Sequence, residues 1–220
     1  MLPPLTPQKE TPSQTAGPFV HIGLAPDAAG FRIYDQDLGQ DFAGPNAKGQ
    51  RIRVEGQVFD GTGTPLRDVL IEVWQANADG CYPHPETPVH ADGKTSGQIE
   101  SGFRGWGRAI SDFATGHWQF ETVKPGSVPG RNGRMMAPHI NLWIVARGIN
   151  VGLNTRLYFA DEQHANDSDP VLNLIEQPAR RTTLLAQPQT SDAADEATDP
   201  RLYRFDIHLQ GPDETVFFDI

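Results

Sequence analysis

His139 and Asn141 stand two residues apart in MMAPHINLWI, residues 135–144. In an extended strand residues i and i+2 face the same side, so the two share a face. A second histidine at 141 would make half of a metal clamp; an amide stands there instead. If the strand runs regularly to 147, Arg147 has the same parity, and a guanidinium can hold a carboxylate bidentately. The plainer reading of Arg147 is a surface arginine at a strand end. The seven histidines (His21, His84, His90, His117, His139, His164 and His208) form no His-x-His, His-Glu-x-x-His or Cys/His cluster of zinc spacing. Cys81 is the one cysteine, which excludes an intrachain disulfide and fits a reducing compartment. No Gly-x-Ser-x-Gly elbow is present. PGSVPGRNGR, 125–134, lacks the strand–loop–helix frame that aims backbone amides at phosphate.

The elements that must carry these side chains are mostly strands. RIRVEGQVF (51–59) alternates apolar and polar residues, and the turn cluster DGTGTP (60–65) leads into VLIEVWQA (69–76). HWQFETV (117–123), HINLWIVAR (139–147), TRLYF (155–159) and LYRFDIHLQ (202–210) read likewise, and TVFFDI ends the sequence. One region reads as a helix: Asp169 caps it, Pro170 takes its first position, and Pro178 stops it. A second short turn includes Leu184 and Leu185. Residues 1–18 carry five prolines and predict an extended arm, either frayed or ordered against a partner. AQPQTSDAADEATDP (186–200) is small and acidic and predicts a surface excursion. Strands with little helix predict an all-β fold, a β-sandwich in a single domain over 1–220, with the proline-rich arm and one or two short helices.

Gly and Pro make 41 of 220 residues, which suits a turn-rich β protein. The formal net charge of −10 argues against nucleic acid, whose binding depends on Lys and Arg neutralising phosphates. The first residues have no apolar signal-peptide core, and runs such as LWIVA are too short to span a bilayer. The expectation is a cytoplasmic protein without a membrane partner.

TPSQTAGPFVHIGLA (11–25), VLIEVWQANADGCY (69–82), TVKPG (122–126), MAPHINLWIVARGIN (136–150), TRLYF (155–159), VLNLIEQPARR (171–181) and the closing ETVFFDI form a further pattern. Together they resemble the intradiol ring-cleaving dioxygenases, and among these the α chains of the heteromeric protocatechuate 3,4-dioxygenases, over nearly the whole chain. That resemblance implies a β-sandwich and a non-haem Fe(III), held in the catalytic chain by two tyrosines and two histidines. Phenolate oxygen suits so hard a cation. The matching positions here are Tyr82, Val128, His139 and Asn141, and the arginine near the first histidine becomes Met136 or Ala137. Two of the four donors are lost, so the expectation is no metal on this chain, with Fe(III) on a partner β chain.

The same resemblance implies that Thr15, Gly17, Pro18 and Arg147 line the partner's substrate pocket. The expected reaction is cleavage of 3,4-dihydroxybenzoate by O₂ to 3-carboxy-cis,cis-muconate, by a larger symmetric assembly of α/β pairs. Two alternatives stand beside it: a self-sufficient intradiol dioxygenase, and a non-enzymatic β-sandwich binding module.

Overall fold

The alternation in RIRVEGQVF becomes a nine-residue strand, β1 (Arg51–Phe59), with Ile52, Val54, Gly56 and Val58 turned inward. It belongs to a computed structural model that describes residues 15, 17, 19–35, 38–83, 102–130, 133–189 and 200–219. The next strands are β2 (Leu70–Gln75), β3 (Trp106–Ile110), β4 (His117–Val123), β5 (Val128–Pro129) and β6 (Met135–Met136). They are followed by β7 (His139–Val145), β8 (Leu153–Phe159), β9 (Leu185–Pro188), β10 (Arg201–Arg204) and β11 (Ile207–His208).

Nine of these strands form one mixed sheet, in the order β11-β1-β10-β9-β8-β7-β2-β3, with β4 on β1; β5 and β6 pair separately. Most pairs are antiparallel, but β1 runs parallel to β10 and β11, and β8 parallel to β9. β9 is the seam between the two halves, meeting β8 through Leu185 and Ala186 and β10 through Gln187 and Pro188. The sheet nearly closes, because a short turn returns β3 to β4, fastened by the Asp112 N–H donating to the His117 carbonyl. Its two halves face each other over one core: Ile52, Val54, Trp118, Phe120 and Tyr203 meet Val73, Leu142, Ile144, Leu157 and Phe159. Each such buried side chain contributes about 1.5–3 kcal/mol relative to exposure.

Several expectations are corrected. LYRFDIHLQ is not one strand but β10 and β11 with a kink at 205–206. There the Asp206 carboxylate accepts the Gln57 N–H at 2.9 Å, taking the place of a ladder carbonyl. The kink also presses the Phe205 carbonyl against Gly56, where a Cβ would approach it to 1.8 Å. The helix expected from Asp169 to Pro178 shrinks to one 3₁₀ turn, Leu172–Leu174. Asp169 does accept the N–H groups of Val171 and Leu172, both at 2.8 Å. Pro178, expected to stop a helix, opens the short α3 (Pro178–Arg181), since its fixed φ suits a first turn.

Two further helices were not foreseen: α1 (Phe19–Leu24) and α2 (Gln163–Ser168). The expected excursion 186–200 begins as strand, with Ala186 fully buried in the core; its residues 190–199 lie outside the described residues. So does most of the proline-rich arm, of which only Thr15 and Gly17 are described. TVFFDI forms no strand beyond a single bridge of Phe218 to Asn154. Among the described residues no helix is long and apolar enough to cross a membrane.

Candidate functional site

Strand register builds the floor of a broad concavity. Trp106 pairs with Trp74, Trp74 with Asn141, and Asn141 with Arg156, so four strands lay these side chains in one row. Directly opposed residues point to the same face of a sheet. The adjacent row is Arg108, Glu72, Trp143 and Asn154. Both rows turn away from the main core, and all of these residues except Arg108 line a cavity of about 840 Å³. The hairpin of β5 and β6, Leu174 and Phe218 form its walls.

His139 and Asn141 share a face as expected, and Tyr82 reaches both. The Tyr82 phenol oxygen lies 3.4 Å from His139 Nε2 and accepts from Asn141 Nδ2 at 3.3 Å. His139 Nδ1 is 2.7 Å from the Ala137 carbonyl, which can only accept, so Nδ1 carries the proton. Nε2 is then left to accept the Tyr82 hydroxyl. The Asn141 amide also donates to the Trp74 carbonyl at 3.2 Å. Asp169, fully buried, holds this region together by accepting the Ala137 N–H at 2.7 Å and the Tyr158 hydroxyl at 3.3 Å.

Electrostatics keep the cluster neutral. Burial, reinforced by the nearby Arg156 charge, lowers His139 to about 4, against weaker opposing effects of the Ala137 hydrogen bond and Asp169. Burial raises the Tyr82 phenol, only partly offset by Asn141 and Arg156. The residues present do not fit ferric iron. Val128 is buried in β5 opposite Met136 and offers no donor atom. The Asn141 amide nitrogen is committed to donation, and a guanidinium stands alongside. Among the described residues no three His, Cys, Asp or Glu side chains gather to hold a metal.

Arg147 does not join this face. β7 ends at Val145, and Arg147 follows in a turn, where its Nε meets Asp68 Oδ2 at 2.9 Å. It lies in a second concavity of about 560 Å³ with His21, Ile22, Phe31, Asp68 and Phe113. Thr15 belongs to the same region, because its hydroxyl accepts the N–H of Gly148 at 3.1 Å and of Gly17 at 3.3 Å. Gly17 (φ +58°) and Gly148 (φ +86°) both adopt left-handed backbone, which glycine reaches without a Cβ penalty. Burial lowers the His21 pKa, with Asp68 opposing and Arg147 assisting. His21 Nε2 is buried without a hydrogen-bond partner among the described residues. Phe19, Phe31, Ile33, Tyr34, Leu38 and Phe113 are exposed on this stretch of chain and beside it.

The structure therefore sorts the expected site residues into two groups. Tyr82, His139 and Asn141 converge, with Val128 in the flanking hairpin; Thr15, Gly17 and Arg147 converge elsewhere. Pro18, His84 and His90 lie outside the described residues. Arg156 was missed altogether. Its signal was the pairing of 156 with 141, and that depends on the register of two strands.

A family model described as dioxygenase matches residues 26–211. The chain is 50% identical over 96% of its length to the protocatechuate 3,4-dioxygenase alpha chain of Pseudomonas putida, covering 96% of that protein. It is 39% identical to the corresponding alpha chain of Burkholderia cepacia, over 98% of this chain and 100% of that one. The beta chain from Burkholderia cepacia is 34% identical over 76% of this chain and 67% of its own. Among solved structures, 3-chlorocatechol 1,2-dioxygenase of Rhodococcus opacus 1CP shares the fold. Its TM-score is 0.55 at 21% identity, over 74% of this chain and 61% of that one.

Proposed function

Because this chain belongs to the intradiol dioxygenase family, we propose that it is the α subunit of a heteromeric protocatechuate 3,4-dioxygenase, with the iron on its β partner. The assembled enzyme cleaves 3,4-dihydroxybenzoate between its two hydroxyl-bearing carbons. Both atoms of O₂ enter the product, 3-carboxy-cis,cis-muconate. Ferric iron, when bound by the partner, supplies the chelating centre that activates the catechol. This chain supplies wall, charge and assembly surface.

The observation that carries the reading is the contrast between its two concavities. The ligand positions Tyr82, His139 and Asn141 close on each other around neutral hydrogen bonds, with Val128 offering none. The arm residues Thr15 and Gly17 are instead fastened beside Arg147, on a surface with exposed aromatic side chains. Contiguous exposed apolar surface is characteristic of protein–protein contact. In this reading Thr15, Gly17 and Pro18 form a rigid wall of the partner's pocket. Arg147 uses one N–H on Asp68 and keeps other donors of its fork for a benzoate carboxylate. The two halves of the sheet act as the layers of a β-sandwich in one cytoplasmic domain, and α/β pairs build a symmetric particle.

The test is to purify the full chain alone and with a β chain, then measure iron, phenolate-to-iron colour and ring cleavage. The expected result is no stoichiometric iron and no turnover alone, with both appearing in the complex. Stoichiometric iron and turnover in the isolated chain would overturn the reading.

A further inference from the structure

Missing donors are one obstacle to a metal between Tyr82, His139 and Asn141; a fixed positive charge is a second. Strand register sets Arg156 of β8 directly opposite Asn141 of β7, so the two side chains leave one face of the sheet about 4.5–5.5 Å apart at Cβ. The Arg156 side chain is half-buried and held from below by a relay. Its Nη1 donates to the Tyr158 hydroxyl at 3.4 Å, and that hydroxyl donates to the fully buried Asp169 carboxylate at 3.3 Å. Asp169 is itself fixed by the N–H groups of Ala137, Val171 and Leu172. Met136 Sδ, 3.5 Å from Nη1, adds a further contact.

An arginine side chain is not deprotonated in proteins, so the charge in this position is permanent. One phenol separates it from Asp169: the carboxylate steadies the guanidinium without touching it, and among the described residues Arg156 makes no direct ion pair. Its charge acts on both remaining ligand positions, the Tyr82 phenol and the His139 imidazole. Like charges a few ångströms apart in a partly dry setting repel strongly, and the repulsion grows in proportion to the charge of an incoming ion. Lost donors account for weak binding. A fixed cation goes further, because it opposes a metal even where donors are supplied.

We propose that the Arg156 guanidinium stands in for the charge of a metal at this centre and bars cations from it, independently of the missing donors. Supplying an imidazole at position 141 is therefore insufficient while residue 156 is cationic. The proposal rests on the reading of Tyr82, His139 and Asn141 as former ligand positions, but it concerns the charge and not the donor count.

The test uses the full chain, purified without a partner, in three variants: Asn141→His alone, Asn141→His with Arg156→Gln, and Asn141→His with Arg156→Lys. The first brings a third donor to Tyr82 and His139. Glutamine removes the charge and keeps a hydrogen-bond donor, whereas lysine keeps the charge and loses the fork. Ferric citrate is the probe. Iron retained after gel filtration and phenolate-to-iron absorption are the readouts, with denaturant unfolding to confirm that each variant folds. The expected result is coloured iron binding by the glutamine double variant, at least about tenfold tighter than by the other two. The proposal is overturned if Asn141→His alone binds iron as tightly, if the lysine double variant does so, or if the folded glutamine double variant gains no iron. Should Asn141→His not fold, Arg156→Gln in the otherwise unaltered chain is titrated with Cu(II), whose nitrogen coupling in electron paramagnetic resonance reports imidazole ligation. A gain of at least about tenfold over the unaltered chain is expected there, and no gain overturns the proposal. Stoichiometric iron on the unaltered chain would overturn the α-subunit reading as well, whereas the other adverse outcomes sink the proposal alone.

Discussion

The Tyr82–His139–Asn141 centre and the Thr15–Arg147 corner are at opposite physical extremes. At the first, side chains from β7, β8 and the loop after β2 are packed so closely that His139 is 2% exposed, and its ring, the Tyr82 hydroxyl and the Asn141 amide nitrogen are turned toward neighbours within the chain. At the second, Arg147 has a side chain 63% exposed and Thr15 is exposed, and a buried nitrogen of His21 lacks a partner among the described residues. The first region is complete within the chain. The second is open, with exposed polar and aromatic side chains. In the proposed reading, the first is a former ligand site turned structural and the second is the partner-facing wall.

Substitutions should separate the two regions in stability measurements. The largest loss is expected from Asp169→Ala, which strips acceptors from the N–H groups of Ala137, Val171 and Leu172 in a buried setting. Denaturant unfolding should report about 4 kcal/mol, since unsatisfied buried donors each cost about 1–3 kcal/mol.

Next comes pH. His139 ionises near about 4 in the folded chain, against about 6.5 when unfolded. As pH falls through this window the unfolded chain takes up the proton first. The stabilisation is therefore complete above about pH 6.5 and is lost progressively down to about pH 4, by about 3 kcal/mol in total. His139→Gln should flatten that segment of the stability profile; an unchanged slope would mean the imidazole is not neutral and buried. Tyr82→Phe should cost about 1 kcal/mol by removing the hydroxyl between His139 and Asn141.

The smallest effect on folding is expected at the corner. Arg147→Ala should change stability by no more than about 0.5 kcal/mol, because an exposed ion pair contributes little. In the complex with the β chain the same change should lower ring cleavage while leaving iron content intact. A loss of several kcal/mol there, or unchanged turnover, would erase the distinction between the two regions.

Some of this was legible in the residues. β1 and β4 show in RIRVEGQVF and HWQFETV because alternation at period two is a strong signal when one face is buried. β3, WGRAI, was not, since Gly107 breaks the pattern; it is there because Phe42 and the Gly39 carbonyl pack where its side chain would be. β9 was lost in a proline-containing, acidic stretch too short to show a period. FVHIGL spans only six residues, less than two turns, and leaves no readable helical stripe. The convergence of Tyr82, His139 and Asn141 came from family resemblance, whereas the place of Arg156 required pairing between strands. Parity misplaced Arg147, because it counts only while a strand stays regular, and β7 ends two residues short.

The double parallel pairing of β1 carries a consequence for the chain as it is synthesised. One edge of β1 is covered by β4, whose residues lie 60 to 72 positions downstream of their partners, but the other waits for β10 and β11 at residues 201–208. A nascent chain that has not yet released residues 201–208 thus holds Ile52, Val54 and Val58 on a strand with open backbone donors and acceptors. Unpaired edges of this kind invite pairing with neighbouring chains. Residues 201–208 therefore act as a built-in edge guard, delivered by the ribosome after every other strand of the sheet.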